Sequence, residues 1–364
     1  MTNQPSHRVR EVSAAEAIRL AGSGYRVVDV REPHEWNAGH VSGATLIPLA
    51  EVPARFDAEF PDRAAPILLH CRSGARSARA AAYLSQRGYS NLANMAALIN
   101  EWPRLGGPWE TALQPLTPTQ ERRYARQTLV PEVGVAGQRK LLDAKVLLVG
   151  LGGLGSPVAL YLAASGIGTI GLVDDDVVDE SNLHRQVVHA LDRIGQPKTA
   201  SARVALGALN PDPDVVEHHV RLTADNVEAL VAGYDVIVDG TDNFETRYLL
   251  NDAAVKLRKP VVHGSIYRWE GQVTTFVPFS GPCYRCMYPT QPPDELAADC
   301  AVTGVLGVLP GIAGMLQATE VLKLLLGVGE TLAGRLLTFD ARTTEFHEVR
   351  LPRDPACPTC GPGA

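Results

Sequence analysis

Two cysteine pairs, Cys283-x-x-Cys286 and Cys357-x-x-Cys360, supply four thiolates in the spacing that closes a tetrahedral zinc site. Four thiolates leave no open position for water, so such a metal staples the C-terminal tail to the segment around Cys283. A redox dithiol or two disulfides are the competing readings of the same pattern. The chain also carries Gly150-Leu151-Gly152-Gly153-Leu154-Gly155, between an apolar run, Lys145 to Val149, and a helical run, Ser156 to Ser165. Glycines in that setting let a phosphate approach the backbone N–H groups at a helix start. Asp174 ends the next apolar run, where an acid can hold a ribose hydroxyl. Alone, these features read as dinucleotide binding or as a tight turn.

Four additions change that reading. Ser181-Asn182-Leu183-His184-Arg185-Gln186 follows Asp174, Lys198 follows Gly195-Gln196-Pro197, Asp242-Asn243 follows a third apolar run, and Arg126 sits in a leading helix. Nicotinamide chemistry has no use for so many cations. A triphosphate attacked at its α-phosphorus does, and Asp242 is placed to hold Mg²⁺ beside it. Arg185 and Lys198 taken singly are ordinary surface charges. No Gly-x4-Gly-Lys-Ser/Thr motif is present, which removes the P-loop kinases and ATPases. Cys300 follows a stretch rich in proline and acid, read as an exposed loop, and stands open between a core cysteine and a nucleophile.

A third constellation lies near the start. Cys71-Arg72-Ser73-Gly74-Ala75-Arg76-Ser77 joins an apolar strand, Pro66 to His70, to a helical run, Ala75 to Gly88. Backbone amides and the helix dipole in such a loop favour thiolate over thiol, and Arg72 and Arg76 add positive charge. The cradle suits a persulfide or an oxyanion. A buried structural cysteine is the plainer alternative, and a phosphatase loop is usually one residue longer.

The elements that must position these groups alternate strand with helix, which makes the chain α/β. A small parallel-sheet domain is expected over residues 8–110 and a doubly wound, Rossmann-like domain over 119–364. The stretch 105–118, with three prolines, two glycines and no sustained period, brackets a linker at 111–118. The expected strands are Arg26 to Arg31, Pro66 to His70, Lys145 to Val149, Thr169 to Asp174, Tyr234 to Asp239, Pro260 to His263 and Gln272 to Phe276. Helices are expected at Gln120 to Leu129 and Met315 to Leu326. The chain has 364 residues, 45% hydrophobic and 20% charged, with net charge -6, which suits a soluble protein and argues against a nucleic-acid or membrane surface. Six cysteines are too few for a disulfide scaffold, and paired CxxC fits a reducing cytoplasm. The first residues lack the apolar core of a signal peptide. The uncharged stretch from Cys300 to Thr319 contains Pro310 and reads as a buried turn and helix rather than a membrane span.

Over about its first hundred residues the chain resembles the rhodanese (sulfurtransferase) family, through Asp29-Val30-Arg31-Glu32-Pro33-His34-Glu35-Trp36, Gly39-His40-Val41-Ser42-Gly43-Ala44 and the Cys71 loop. The resemblance implies that Cys71 carries transferable sulfur as a persulfide. That family usually has a Gly-Gly pair before a tryptophan near the domain's end, where this chain has Ala97-Leu98 before Trp102. If either position takes positive φ, its side chain costs about 1–2 kcal/mol.

Residues 118–361 resemble the ubiquitin-activating-type adenylyltransferases of molybdopterin and thiamin biosynthesis, most closely the molybdopterin-synthase adenylyltransferases. The resemblance implies that Gly150, Gly152, Gly153, Gly155, Asp174, Ser181, Asn182, Leu183, His184, Arg185, Lys198, Asp242 and Asn243 bind ATP, with Mg²⁺ on Asp242. It also implies a homodimer in which Arg126 reaches the neighbour's triphosphate, zinc on Cys283, Cys286, Cys357 and Cys360, and a covalent carrier link at Cys300. The expected reaction is adenylation of the C-terminal Gly-Gly of a ubiquitin-like sulfur carrier protein, foremost the molybdopterin synthase small subunit. Sulfur from Cys71 then gives the thiocarboxylate, with a cysteine desulfurase or thiosulfate as donor. Carriers of thiamin, cysteine, siderophore or tRNA-thiolation pathways, a non-catalytic scaffold and an NAD-dependent oxidoreductase are the alternatives.

Overall fold

Short, mostly apolar runs make the strands of the first unit. They are β1 (Arg10–Val12), β2 (Arg26–Asp29), β3 (His40–Val41), β4 (Thr45–Leu46), β5 (Ile67–His70), β6 (Leu92–Met95) and β7 (Trp109–Glu110). The computed structural model describes residues 9–110, 114–291 and 304–361, and the chain divides into two units, Met1–Pro115 and Leu116–Ala364. Five strands of the first unit form one sheet in the order β1-β6-β5-β2-β4, with every pairing parallel. Successive side chains point to opposite faces. Val28, Ile67 and Leu69 therefore pack with Ala80, Ala81 and Leu84 of the helix Ala75–Gln86, while Val27, Leu68 and Ala93 pack with Trp102 on the other side. Central β5 is buried along its length, which is why it reads as an unbroken apolar run.

Trp109 and Glu110 pair antiparallel with Val41 and His40, so the first unit includes strand structure at Glu110. Among the described residues, the only non-glycine positions with positive φ are Arg258, Arg268, Phe279 and Thr344. Ala97 and Leu98 are not among them, so replacing the usual glycine pair carries no left-handed strain.

The second unit holds β8 (Lys145–Val149), β9 (Thr169–Val173), β10 (Asp214–His218), β11 (Val236–Asp239), β12 (Val261–Tyr267), β13 (Glu270–Phe276), β14 (Arg335–Asp340) and β15 (Glu345–Arg350). Their order in one sheet is β10-β9-β8-β11-β12-β13-β14-β15. The first five are parallel and the last three add on antiparallel. The chain enters at β8, winds outward to β10, then restarts on the other side at β11. The switch point therefore lies between β8 and β11, where doubly wound sheets open a crevice at their carboxyl ends. On one face Val146, Leu148, Ile170 and Val238 pack against helices Gly155–Ser165, Lys198–Leu209 and Val308–Leu326. On the other, Leu147, Val149 and Ile237 pack against helices Val227–Ala232 and Phe244–Lys256.

Two helices differ from expectation. The run Gln120 to Leu129 is two short helices, Pro118–Arg123 and Ala125–Thr128, broken at Tyr124. The Tyr124 ring is buried, and its hydroxyl donates to Asp212 (2.7 Å) and accepts from Asn210 Nδ2 (2.9 Å), which turns the chain. The final helix starts at Val308 rather than Met315. Pro310 fits in its first turn, where a missing N–H costs nothing. This helix is long and apolar enough to cross a membrane, but Leu309, Ala313, Ala318 and Val321 are buried in the core of the unit.

Candidate functional site

Cys71 sits just past the end of β5, with 1% of its surface exposed. Burial raises its thiol pKa. The Ser77 hydroxyl and the backbone N–H groups of Ser77, Ser73 and Arg76 outweigh burial and hold it below the ordinary thiol value. Gly74 has φ +89°, and a Cβ there would meet Ala96 Cα at 2.9 Å. Only glycine lets the loop close this tightly around the sulfur. Arg72 and Ser73 are exposed at the mouth, and Ala75 opens the helix. Arg76 is not the free cation the sequence suggested. Its guanidinium makes a two-pronged pair with Glu35 (2.7 and 2.8 Å), from the helix Pro33–Asn37. The Ser77 hydroxyl and the backbone amides, not the Arg76 guanidinium, stabilise the thiolate.

Ser77 Oγ lies 3.4 Å from the sulfur and 3.1 Å from Gly74 O. Ser77→Ala is expected to move the Cys71 titration upward and to slow alkylation at pH 7 about tenfold, the scale of one hydrogen bond to a charged group. Iodoacetamide rates across pH measure this. An unchanged profile would leave the amides as the whole cause.

At the switch point a cavity of about 330 Å³ opens. Gly150, Gly152, Gly153, Asp174, Arg185, Lys198, Asp242 and Asn243 line it. Gly150 has φ +90°, and a Cβ there would strike Gly240 O at 2.8 Å. A Cβ on Gly155 would lie 1.9 Å from Gly150 O, so that glycine lets the helix start against the loop rather than touching the ligand space. Asp174 Oδ2 accepts from Leu151 N (2.7 Å) and Oδ1 from Asp176 N (2.9 Å), pinning the glycine loop to the end of β9. Burial raises its carboxyl pKa, opposed by Lys198 and these N–H groups.

Lys198 is 5% exposed and donates to Asp176 Oδ2 at 2.7 Å. It is a buried cation aimed at the cavity, not a surface charge. Asn243 caps the helix Phe244–Lys256 by accepting from Thr246 N (2.9 Å), placing a helix N-terminus at the cavity wall. Asp242 is exposed there with no partner among the described residues, which suits a divalent cation such as Mg²⁺.

Other expected residues do not meet the cavity. Ser181, Asn182, Leu183 and His184 lie outside its lining; Ser181 bonds to Asp179, while Asn182 and His184 hold Arg185. Asn182 Oδ1 accepts from Arg185 Nη2 at 2.6 Å, and His184 Nε2 is 2.8 Å from Nη1. Arg126 is exposed on its short helix and does not line this subunit's cavity. Cys300 lies outside the described residues. Val220, Arg221, Leu222, Thr246 and Ile266 also line the cavity and were missed. For the first three the only signal was position, just past the end of β10, a strand the sequence reading did not identify.

The four paired cysteines converge. Cys283 and Cys286 sulfurs are 4.0 Å apart, Cys283 and Cys357 3.6 Å, and Cys286 and Cys360 3.4 Å. A tetrahedral zinc with Zn–S of about 2.3 Å requires sulfurs about 3.8 Å apart. Disulfide sulfurs would be about 2.05 Å apart, and all four cysteines are free. The donor set and its spacing fit zinc. Burial pushes the Cys283 thiol well above its ordinary value, so a cation is what makes four thiolates compatible with this core. Arg353 ties the tail down by donating to Phe279 O (3.4 Å) and to Cys360 O.

Comparison with known proteins follows the same division. The rhodanese-like domain matches residues 13–104 and the ThiF family residues 124–359. The SAMP-activating enzyme E1 of Haloferax volcanii is 53% identical over 248 residues, covering 68% of this chain and 92% of that protein. The sulfur carrier protein adenylyltransferase of Thermus thermophilus is 49% identical over 244 residues, covering 66% and 90%. The adenylyltransferase and sulfurtransferase MOCS3 of Anopheles gambiae is 50% identical over 239 residues, covering 65% of this chain but only 54% of MOCS3. The chain belongs to the ThiF family and carries a rhodanese-like domain ahead of its ThiF region.

Proposed function

We propose that this protein adenylates the C-terminal glycine of a ubiquitin-like sulfur carrier with ATP, then converts it to a thiocarboxylate with sulfur from a Cys71 persulfide. The observation that carries this reading is one chain holding both a cavity suited to a triphosphate and a cradle suited to a persulfide. The names of the similar proteins, a sulfur carrier protein adenylyltransferase and an adenylyltransferase and sulfurtransferase, support it.

The carrier's terminal carboxylate, already ionised at pH 7, attacks the α-phosphorus and pyrophosphate leaves. Asp174 and the glycine loop orient the nucleotide. Lys198, Arg185 and the N-terminus of helix Phe244–Lys256 stabilise the charge that develops. Asp242 would hold Mg²⁺, which supplies charge neutralisation on the phosphates when bound. The terminal sulfur of the Cys71 persulfide then attacks the acyl carbon and AMP leaves, giving an acyl disulfide between carrier and Cys71. Attack of a second thiol on Cys71 Sγ, for which Cys300 is the proposed source, releases the thiocarboxylate and leaves a disulfide that an external thiol reduces.

A homodimer in which Arg126 serves the neighbour's cavity fits its exposed position outside its own. The zinc is structural, the sulfur comes from a cysteine desulfurase or thiosulfate, the paired cysteines suit the cytoplasm, and the molybdopterin synthase small subunit is the first carrier to try.

The test is ATP–pyrophosphate exchange with a panel of purified carriers ending in Gly-Gly, followed by intact-mass analysis after a sulfur donor is added. Exchange with one carrier and replacement of one oxygen by sulfur are expected. No exchange with any carrier would leave a carrier-binding scaffold.

A further inference from the structure

The helix Phe244–Lys256 has the nucleotide cavity at one end and the thiolate cluster at the other. Asn243 and Thr246 line the cavity. Farther along, Asn251 Oδ1 accepts from the backbone N of Tyr284 (2.7 Å), the residue between Cys283 and Arg285. Asp252 holds Arg285 through two bonds (2.8 and 2.7 Å) and accepts from Thr359 (3.5 Å), on the other cysteine pair. Val255 belongs to the same buried cluster as Cys283, Cys357 and Cys360. One rigid element thus grips both halves of the cluster.

A buried polar cluster reinforces the connection. Asp239, at the end of β11, accepts from Thr241 N (3.0 Å) and Thr241 Oγ1 (2.6 Å) and pairs with His263 Nδ1 (2.7 Å). It shapes the turn that presents Thr241 and Asp242 to the nucleotide cavity. Arg247 donates to Thr241 O (2.7 Å) from the same helix. Its Nε and the Tyr284 hydroxyl are buried without hydrogen bonds, and both residues line one small internal cavity beside Asp239. The Tyr284 ring packs on His263 (5.2 Å between centroids) and Phe276 (6.0 Å). Movement of Tyr284 therefore bears on the Asp239–Thr241 turn.

We propose that occupancy of the cysteine cluster and binding of nucleotide are energetically coupled through this helix, with Asp252 and Arg247 as positioning residues. The proposal rests on the nucleotide reading of the cavity. Metal at the cluster fixes Tyr284 and Arg285, these fix the helix, and the helix fixes Thr241 and Asn243. A rigid element shared by two sites offers a route for such coupling, and any coupling it carries is reciprocal in binding free energy.

The experiment uses the zinc-loaded full chain and a non-hydrolysable ATP analogue. Zinc release to a chromophoric chelator is timed with and without analogue, for the wild type and for Asp252→Ala. The analogue is expected to slow release about tenfold in the wild type, and to tighten zinc binding at equilibrium by the same factor by which zinc depletion weakens analogue binding. Asp252→Ala is expected to keep its zinc and bind analogue, with the effect on release falling to about twofold or less. Analogue that binds without slowing release overturns the coupling alone. An equal effect in Asp252→Ala also overturns it, because general stabilisation of the fold would then suffice. Analogue that does not bind the loaded protein overturns both the coupling and the nucleotide reading.

Discussion

Cys71→Ala is expected to leave ATP–pyrophosphate exchange at its wild-type rate while lowering thiocarboxylate formation at least about 10³-fold, the scale for losing a covalent nucleophile. The sulfur is the only atom the substitution removes from the cradle, and Cys71 lies in a different unit from the nucleotide cavity. The small buried side chain left behind keeps the fold, so thermal unfolding should move little. The two readouts divide the protein's work. Exchange reports the nucleotide cavity, and intact mass of the carrier reports the cradle. If carrier still gained sulfur at the wild-type rate, the persulfide would be formed elsewhere and Cys71 would be a structural cysteine after all.

Lys198→Ala is expected to lower the rate of exchange about 10²- to 10³-fold, the range for removing one preorganised charge from a developing oxyanion. Lys198 is 5% exposed, and its first helical turn is fixed by the hydrogen bond from its own backbone N to Asp176 O at 3.0 Å. The substitution frees Asp176, whose side chain is largely exposed, so the loss of stability should be small against the loss of rate. Sulfur loading of Cys71, followed by cyanide release of thiocyanate, should be unchanged. Lys198→Arg should recover only part of the rate, because a guanidinium is wider and its donors are fixed in a fork. Full activity in Lys198→Ala would mean that Arg185 and the helix terminus bear the phosphate charge.

The parts legible in the sequence are those whose chemistry is written in adjacent residues. The glycine loop, the Cys71 loop and each CxxC pair occupy a short run of chain, so spacing alone marks them as candidate sites. The rhodanese-like and ThiF-type organisation was legible for the same reason. What escaped depends on residues distant in sequence. Arg76 reads as a cation for the sulfur until Glu35, on another helix, neutralises it. Asn182 and His184 read as ligand contacts from their spacing, yet in the fold they hold Arg185. Val220 and Arg221 carry no motif, and become cavity wall only because β10 pairs beside β9. Strand β15 was invisible because all six of its residues are exposed, which erases the apolar alternation that marks a strand. Tyr124 breaks a helix of good local pattern because burying its ring and satisfying its hydroxyl outweigh helix propensity.

The wide separation of the two cysteine pairs bears on how the protein is made. Cys283 and Cys286 leave the ribosome about seventy residues before Cys357 and Cys360, an interval on the order of ten seconds at ordinary synthesis rates. Within that interval Val305, the last residue lining the nucleotide cavity, is also synthesised. The nascent chain thus displays two neighbouring thiols with no partners, open to oxidation or to a stray metal ion. A chain cut short before Cys357 would keep that half-site permanently. Messenger truncation or proteolysis at the tail should therefore mark the product chemically, as a thiol pair that alkylating reagents find and that the finished protein conceals.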